Sequence, residues 1–249
     1  MEMVLITALG VGGATVFGVA IGFVFRKISH RFSAYVMAFA AGVMLAAAVL
    51  GLVLPSVEYG GGARGLPVTV LGVFAGAVMI NLMDKAVPHL HRLAGGEEGL
   101  NSSAGKVLLY VAAIAIHNLP EGIAAGVGFG SGEGARALLI AGGIALQNIP
   151  EGMVIVGPML ASGISPKRTF LLTSLTGLVE VVGTLLGYFA VKISSAILPF
   201  ALAFAGGTML YVISHEMIPE THHEGSQKGS TYALLVGFSM MLVSDVLLG

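Results

Sequence analysis

Long apolar stretches separated by short polar connections run through the whole chain. A helix needs about 20 apolar residues to cross the hydrocarbon core of a bilayer. Eight stretches reach that length: 3–25, 33–54, 67–87, 106–129, 136–162, 169–191, 196–217 and 231–248. The first does not read as a signal peptide, because it is too long and Glu2, not a basic segment, precedes it. The longest connection, 88–105, carries Gly95-Gly96, Glu97-Glu98 and Asn101-Ser102-Ser103 and is too short for a soluble domain. The pattern predicts an all-α integral membrane protein, one domain over 1–249 with eight transmembrane helices.

Composition sharpens this reading. Of the 249 residues 56% are hydrophobic and 10% charged, with a mean hydropathy of +0.94. A soluble domain carries about 25% charged residues, so this chain cannot cover itself with a water-facing surface. The net charge of −1, from 12 Lys+Arg against 13 Asp+Glu, excludes a basic nucleic-acid surface and a long acidic tail. With no cysteine there is no disulfide, thiolate zinc finger or thiol nucleophile. The 37 glycines are about twice the usual ~7% share, which suits helices packed closely in lipid.

The basic residues between spans are unevenly divided. Arg26, Lys27, Arg31, Lys85, Arg92, Lys106, Lys167, Arg168 and Lys228 fall on one side, and Arg64, Arg136 and Lys192 on the other. The positive-inside rule puts the first group in the cytoplasm of a cell inner (plasma) membrane protein and both termini outside.

Two internal similarities stand out. His117-Asn118-Leu119-Pro120-Glu121-Gly122 recurs as Gln147-Asn148-Ile149-Pro150-Glu151-Gly152, in the next span and therefore in the opposite direction. Phe39-Ala40-Ala41-Gly42-Val43-Met44-Leu45 resembles Phe204-Ala205-Gly206-Gly207-Thr208-Met209-Leu210, which pairs the second span with the seventh. Together they suggest a 3+2+3 inverted repeat, an architecture of secondary transporters with the binding site near the midplane.

The duplicated motif carries ionisable residues into the membrane, where they are expensive and functional by default. His117 lies about 16 Å beyond Lys106, near the middle of a core about 30 Å thick. Gln147 reaches a similar depth from Arg136, and Glu180 from Arg168. Three helices thus bring His117, Glu121, Gln147, Glu151 and Glu180 to one level, with Asn118 and Asn148 beside them. His117 and Glu121 share a helix face, as do Gln147 and Glu151. Pro120 and Pro150 donate no hydrogen bond to the carbonyls of Ile116 and Leu146, freeing an oxygen beside the first polar side chain of each motif. Three carboxylates at one depth repel strongly in a low dielectric, so either protons or a cation must sit among them. An imidazole, carboxylates and amide oxygens suit a borderline divalent ion such as Zn²⁺, Fe²⁺ or Mn²⁺ better than Cu⁺. A single intramembrane Asn or Gln is as well explained by hydrogen bonding between helices; three glutamates and a histidine on duplicated motifs are not.

These residues identify a resemblance. H-N-x-P-E-G in the fourth span, Q-N-x-P-E-G in the fifth and Glu180 in the sixth resemble the ZIP (Zrt/Irt-like) family of divalent metal transporters, in its short-looped prokaryotic, GufA/ZupT-like branch. The resemblance covers essentially the whole chain. It implies transport of a divalent cation, zinc foremost and also Fe²⁺, Mn²⁺ or Cd²⁺, toward the cytoplasm, with the metal as substrate and no cofactor. It implies a primary site of His117, Glu121, Gln147 and Glu151. A second site would adjoin it, formed by Asn118, Asn148 and Glu180 with the shared Glu121 and Glu151; some relatives carry Asp where this chain has Asn148. It also implies a cytoplasmic exit site of Asp84, His89, His215 and Glu216, for which an ordinary polar helix end is the plainer alternative, and an elevator-like motion in a homodimer. Met44 and Met209 are weak soft ligands; packing suits Met209, and Met44 is a candidate for the entrance lining.

Two other readings are weaker. An intramembrane zinc hydrolase needs H-E-x-x-H, whereas His215-Glu216 is followed by Met217, Ile218 and Pro219, and that proline should interrupt the helix. An ion-coupled carrier of an organic solute would normally offer an anionic substrate positive helix ends or a buried base. The spans here offer acceptors and a histidine.

Overall fold

The computed structural model describes residues 1–25, 29–86, 103–130, 132, 134–222 and 227–248; the side chains of 84, 86 and 103–114 lie outside the description. Among the described residues the chain is helical throughout. The long helices are α1 (Glu2–Val24), α2 (His30–Tyr59), α3 (Leu66–Ala86), α4 (Ser103–Gly130), α5 (Gly134–Ala161), α6 (Pro166–Ile193), α7 (Ser195–His222) and α8 (Gln227–Leu248). Each corresponds to one expected span. All but α4 meet the length and hydropathy of a membrane crossing outright, and α4 spans 28 residues. The chain is a multi-pass membrane protein.

Local chemistry sets the helix ends. Ser29 and Ser165 cap α2 and α6, each accepting a hydrogen bond from the amide three residues on, and Pro166 follows the second cap. Gly61 and Gly62 take positive φ between α2 and α3, and Gly163 does so before α6, so the chain reverses within a few residues.

Two helices run further than their apolar pattern indicates. A π-helical segment, Ala47–Val53, lies within α2, and another, Ile213–Met217, within α7. Each follows its copy of the Phe-Ala repeat, and each has a proline two residues past its end, Pro55 and Pro219. Pro219 therefore does not end α7. The widened turn takes up the missing donor, and the helix resumes at Ile218–His222.

The helices pack as two groups of four. In the first, α1 lies on α5 and α6, and α4 lies on α6 and α5. In the second, α3 packs on α7, α2 on α8, and α7 on the π segment of α2. Thinner contacts of α2 with α5 and of α4 with α7 join the groups.

Glycine makes the closest approaches, and they repeat in pairs. A Cβ on Gly18 of α1 would strike the Ile149 carbonyl of α5, and one on Gly183 of α6 would strike the Leu119 carbonyl of α4. Gly152 meets Thr15 as Gly122 meets Glu180, and Gly42 meets Leu234 as Gly207 meets Val73. Gly12 and Gly177 meet each other. Exchanging α1 with α6, α2 with α7, α3 with α8 and α4 with α5 thus reproduces the packing, as the two sequence similarities require of an inverted repeat.

The burial pattern inverts that of a soluble bundle. The interior face of α6 is Thr169, Thr173, Thr176, Gly177, Glu180, Gly183, Thr184 and Gly187, while Leu171, Leu178 and Leu186 are exposed. The outer face is left to lipid, and small residues let the helices approach.

A substitution pair tests this packing. Gly183→Ala forces a methyl onto backbone, whereas Gly142 has nothing within 4 Å of its added Cβ. We expect Gly183→Ala to lose about 1–3 kcal/mol and Gly142→Ala to be neutral or slightly stabilising, as measured by thermal unfolding in detergent. Equal melting temperatures for the two would contradict this packing.

Candidate metal centre

The two motif helices, α4 and α5, bring their polar faces together inside the first group. Both keep their internal proline, Pro120 and Pro150. Gly122 and Gly152 seat them against α6 and α1, so the residues beside these glycines are held at a fixed separation.

Glu121 is 1% exposed and Gln147 is fully buried. Their side chains face each other and Glu151 lies close by, yet neither Glu121 oxygen nor the Gln147 amide atoms make a hydrogen bond of ordinary geometry with any described residue. Buried polar groups are normally satisfied, so four such atoms in one place mark a position suited to a further group. Glu151 is half-buried and faces His117 as well. Among the described residues no three His, Asp or Glu side chains converge on one point. The cluster is a loose set of neighbours in which an amide stands among the carboxylates and the imidazole.

Glu180 is differently placed. It too is fully buried, but both its oxygens are engaged. Thr15 donates to Oε1 at 2.8 Å, Asn118 donates to Oε1 at 2.6 Å, and Asn148 donates to Oε2 at 2.8 Å. The Asn148 amide also reaches the Val11 carbonyl at 3.3 Å. A fourth helix, α1, thus takes part beside the three expected. The sequence reading missed Thr15 because a lone threonine in an apolar span gives little signal; its place opposite Glu180 in the repeat was the available clue.

His117 reaches across to the second helix group. Its Nε2 lies 3.0 Å from Glu216 Oε2, and both side chains are slightly exposed. Glu216 belongs to the π segment of α7, so the widened turn aims it at His117. His215 is exposed, with its ring 5.1 Å from that of Tyr211. Of the expected exit residues, His89 and the Asp84 side chain lie outside the described residues. Glu216 thus lies beside His117 of the primary cluster.

A buried apolar core adjoins the cluster. Met44, Leu52, Ile140, Ile144, Leu202 and Met209 are all buried in one core cluster. Met44 and Met209 share it, so Met44 packs there as Met209 does. Further out, Arg136 lies 3.4 Å from Glu58.

A multi-pass helical membrane protein with an inverted repeat and a buried cluster of carboxylates, imidazole and amides has the architecture of a secondary transporter. Comparison with known proteins narrows that class. The family model described as ZIP zinc transporter matches residues 93–245. The chain is 41% identical over 204 residues to zinc transporter GufA of Myxococcus xanthus, covering 80% of each chain. It is 36% identical to zinc transporter ZIPB of Bordetella bronchiseptica, covering 95% of this chain and 78% of the relative. With human zinc transporter ZIP11 it shares 32% identity over 95% of this chain and 94% of the relative. The chain belongs to the ZIP family, which is a transport family and not a class of enzymes.

The two buried carboxylates should respond oppositely to an apolar replacement. Glu121→Leu removes oxygens that make no hydrogen bond, whereas Glu180→Leu strands donors from Thr15, Asn118 and Asn148 at about 1–3 kcal/mol apiece. We expect the metal-free Glu121→Leu protein to melt at or above the wild-type temperature and Glu180→Leu to melt well below it. The reverse order would refute this division of roles.

Proposed function

We propose that this protein carries a divalent transition-metal cation, zinc foremost, across the membrane toward the cytoplasm. The observation that carries the reading is the buried pair Glu121 and Gln147, whose oxygens lack hydrogen bonds. A cation fits beside these oxygens, because the neighbouring carboxylates of Glu121 and Glu151 repel one another in a low dielectric. His117 and Glu151 complete the primary site. The mixture of nitrogen and oxygen ligands suits Zn²⁺ and also admits Fe²⁺, Mn²⁺ or Cd²⁺. Relatives named zinc transporters support the same choice.

The direction follows from charge and packing. The excess of Lys and Arg at the His30, Lys85 and Lys167 ends assigns those ends to the cytoplasm and both termini to the outside. Apolar residues toward Arg136, Ile140 and Ile144 among them, then close the outer side. On the inner side Glu216 draws near His117, offering the next carboxylate to a departing ion. His215, with Asp84 and His89, would receive it at the exit. The cation sheds water at the primary site, is held by ligands from two helices, and leaves along the polar face. The homodimer and the elevator-like motion implied by the family resemblance belong to this same reading.

Two substitutions test it. Glu121→Ala removes a central carboxylate, and we expect metal-isotope uptake into proteoliposomes to fall below detection while the variant still inserts and elutes as a single species. Uptake at the wild-type rate would sink the assignment. Gln147→His replaces an amide with an imidazole nitrogen, which favours Zn²⁺ over Mn²⁺. The expected result is a higher ratio of Zn²⁺ to Mn²⁺ uptake, and an unchanged ratio would remove Gln147 from the ion's path.

A further inference from the structure

The first helix contributes none of the proposed primary ligands, yet it meets the polar centre at one turn. Among the described residues of α1 the buried face is Val, Ala and Gly apart from Thr15, which is 3% exposed. A threonine hydroxyl inside a helix ordinarily donates to a carbonyl three or four residues back in the same helix. Thr173, Thr176, Thr184 and Thr208 do so. Thr15 sends its hydroxyl across to α6 and donates to Glu180 Oε1 at 2.8 Å. The carbonyl four residues back, that of Val11, receives the Asn148 amide at 3.3 Å. One turn of α1 is thus a donor to α6 and an acceptor from α5.

The effect on Glu180 is directional. Its Oε1 takes Thr15 at 2.8 Å and Asn118 at 2.6 Å, while its Oε2 takes Asn148 at 2.8 Å. A carboxylate oxygen offers about two lone-pair positions, so Thr15 completes the set on Oε1 and fixes the rotation of the carboxylate. Acceptor capacity remains on Oε2 and on Asn148 Oδ1, which makes no hydrogen bond with any described residue. Asn118 follows His117 and Asn148 follows Gln147 in the chain, so the orientation of Glu180 passes to the neighbours of two primary ligands. The backbone of Thr15 is itself held in place. A Cβ on Gly152, the residue after Glu151, would strike the Thr15 carbonyl.

We infer that Thr15 is a positioning residue of the metal centre. Its hydroxyl, acting through Glu180, orients the carboxylate and the two asparagines and thereby sets how tightly the primary site holds a divalent ion. The inference rests on the primary-site reading above. Thr15 does not itself touch the ion.

The test separates the hydroxyl from the methyl. Zinc affinity is measured by calorimetric titration of the full chain in detergent, on variants that elute as a single folded species. Thr15→Val keeps the branched shape and loses the hydroxyl; Thr15→Ser keeps the hydroxyl and loses the methyl. We expect Thr15→Val to weaken zinc binding about tenfold, the scale of one buried hydrogen bond to a charged group, and Thr15→Ser to stay within about twofold of wild type. A residue that only fills space gives the reverse order. Weaker binding by Thr15→Ser than by Thr15→Val, or equal affinities, would overturn the inference. If Thr15→Val does not fold, Thr15→Ser against Thr15→Ala makes the same comparison, since the two differ only by the hydroxyl; equal affinities there also overturn it. The penalty of Thr15→Val is expected to shrink in a Glu180→Gln background, where the acceptor is no longer charged. An undiminished penalty would show that the hydroxyl acts elsewhere. Zinc binding by Glu121→Ala at wild-type affinity would instead remove the primary site itself, a result independent of the order of the Thr15 variants.

Discussion

A charged oxygen deep in a low-dielectric bundle must be met by donors or by a cation, and Glu180 is met by donors. Its carboxylate collects one side chain from each of α1, α4 and α5, so a single group on α6 ties together all four helices of the first group. Breaking such a buried network exposes every partner to the cost of an unpaired polar atom. The glycine contacts are arranged around it. Gly122 rests on the backbone of Glu180, and Gly152 rests on that of Thr15. Close backbone approaches in this group therefore flank its polar centre. The motif glutamates, one residue before those glycines, inherit their placement from it.

The seam between the two helix groups has a different texture. Within each group many of the closest glycine contacts are with backbone carbonyls, which do not yield. Across the seam, Gly51 of α2 lies against the Ile140 side chain and Gly143 of α5 against the Met241 side chain. Side chains of this kind repack at lower cost than backbone. The His117–Glu216 contact crosses the same seam. The boundary combines adaptable apolar side chains with polar contacts, His117–Glu216 beside the ion site and Arg136–Glu58 further out.

Symmetry accounts for the architecture, and departures from it make the two ends chemically different. The π segments of α2 and α7 occupy corresponding places, but one reads Ala-Ala-Val-Leu-Gly-Leu-Val and the other Ile-Ser-His-Glu-Met. The first places Ala48 and Leu52 in the buried core, and the second brings Glu216 to His117. Likewise His117 in α4 faces Gln147 as its repeat partner in α5, and Thr15 faces Glu180. An inverted repeat with identical halves would present the same surface to both sides of the membrane. Here the chemistry is polar toward one end and apolar toward the other.

Much of this was legible in the chain itself. Eight helices follow from apolar length alone, because the bilayer fixes how many residues a crossing needs. The depth of His117, Gln147 and Glu180 follows from counting turns, and the repeat from the duplicated motif. Other features depended on which helices became neighbours. The repeats are contiguous in sequence, yet the packed groups interleave them, placing α1 with α4, α5 and α6. Pro219 read as a helix end and proved compatible with continuation, since the π turn before it is a property of the backbone in its packed setting. Glu216 read as part of an exit cluster, and its contact with His117 on another helix could not be read from the chain. Glu180, Asn118 and Asn148 read as neighbours at one depth, but the acceptors that meet the Asn148 amide nitrogen could not be read from the chain. Those acceptors are the Val11 carbonyl and a carboxylate on another helix, which only the tertiary structure brings together.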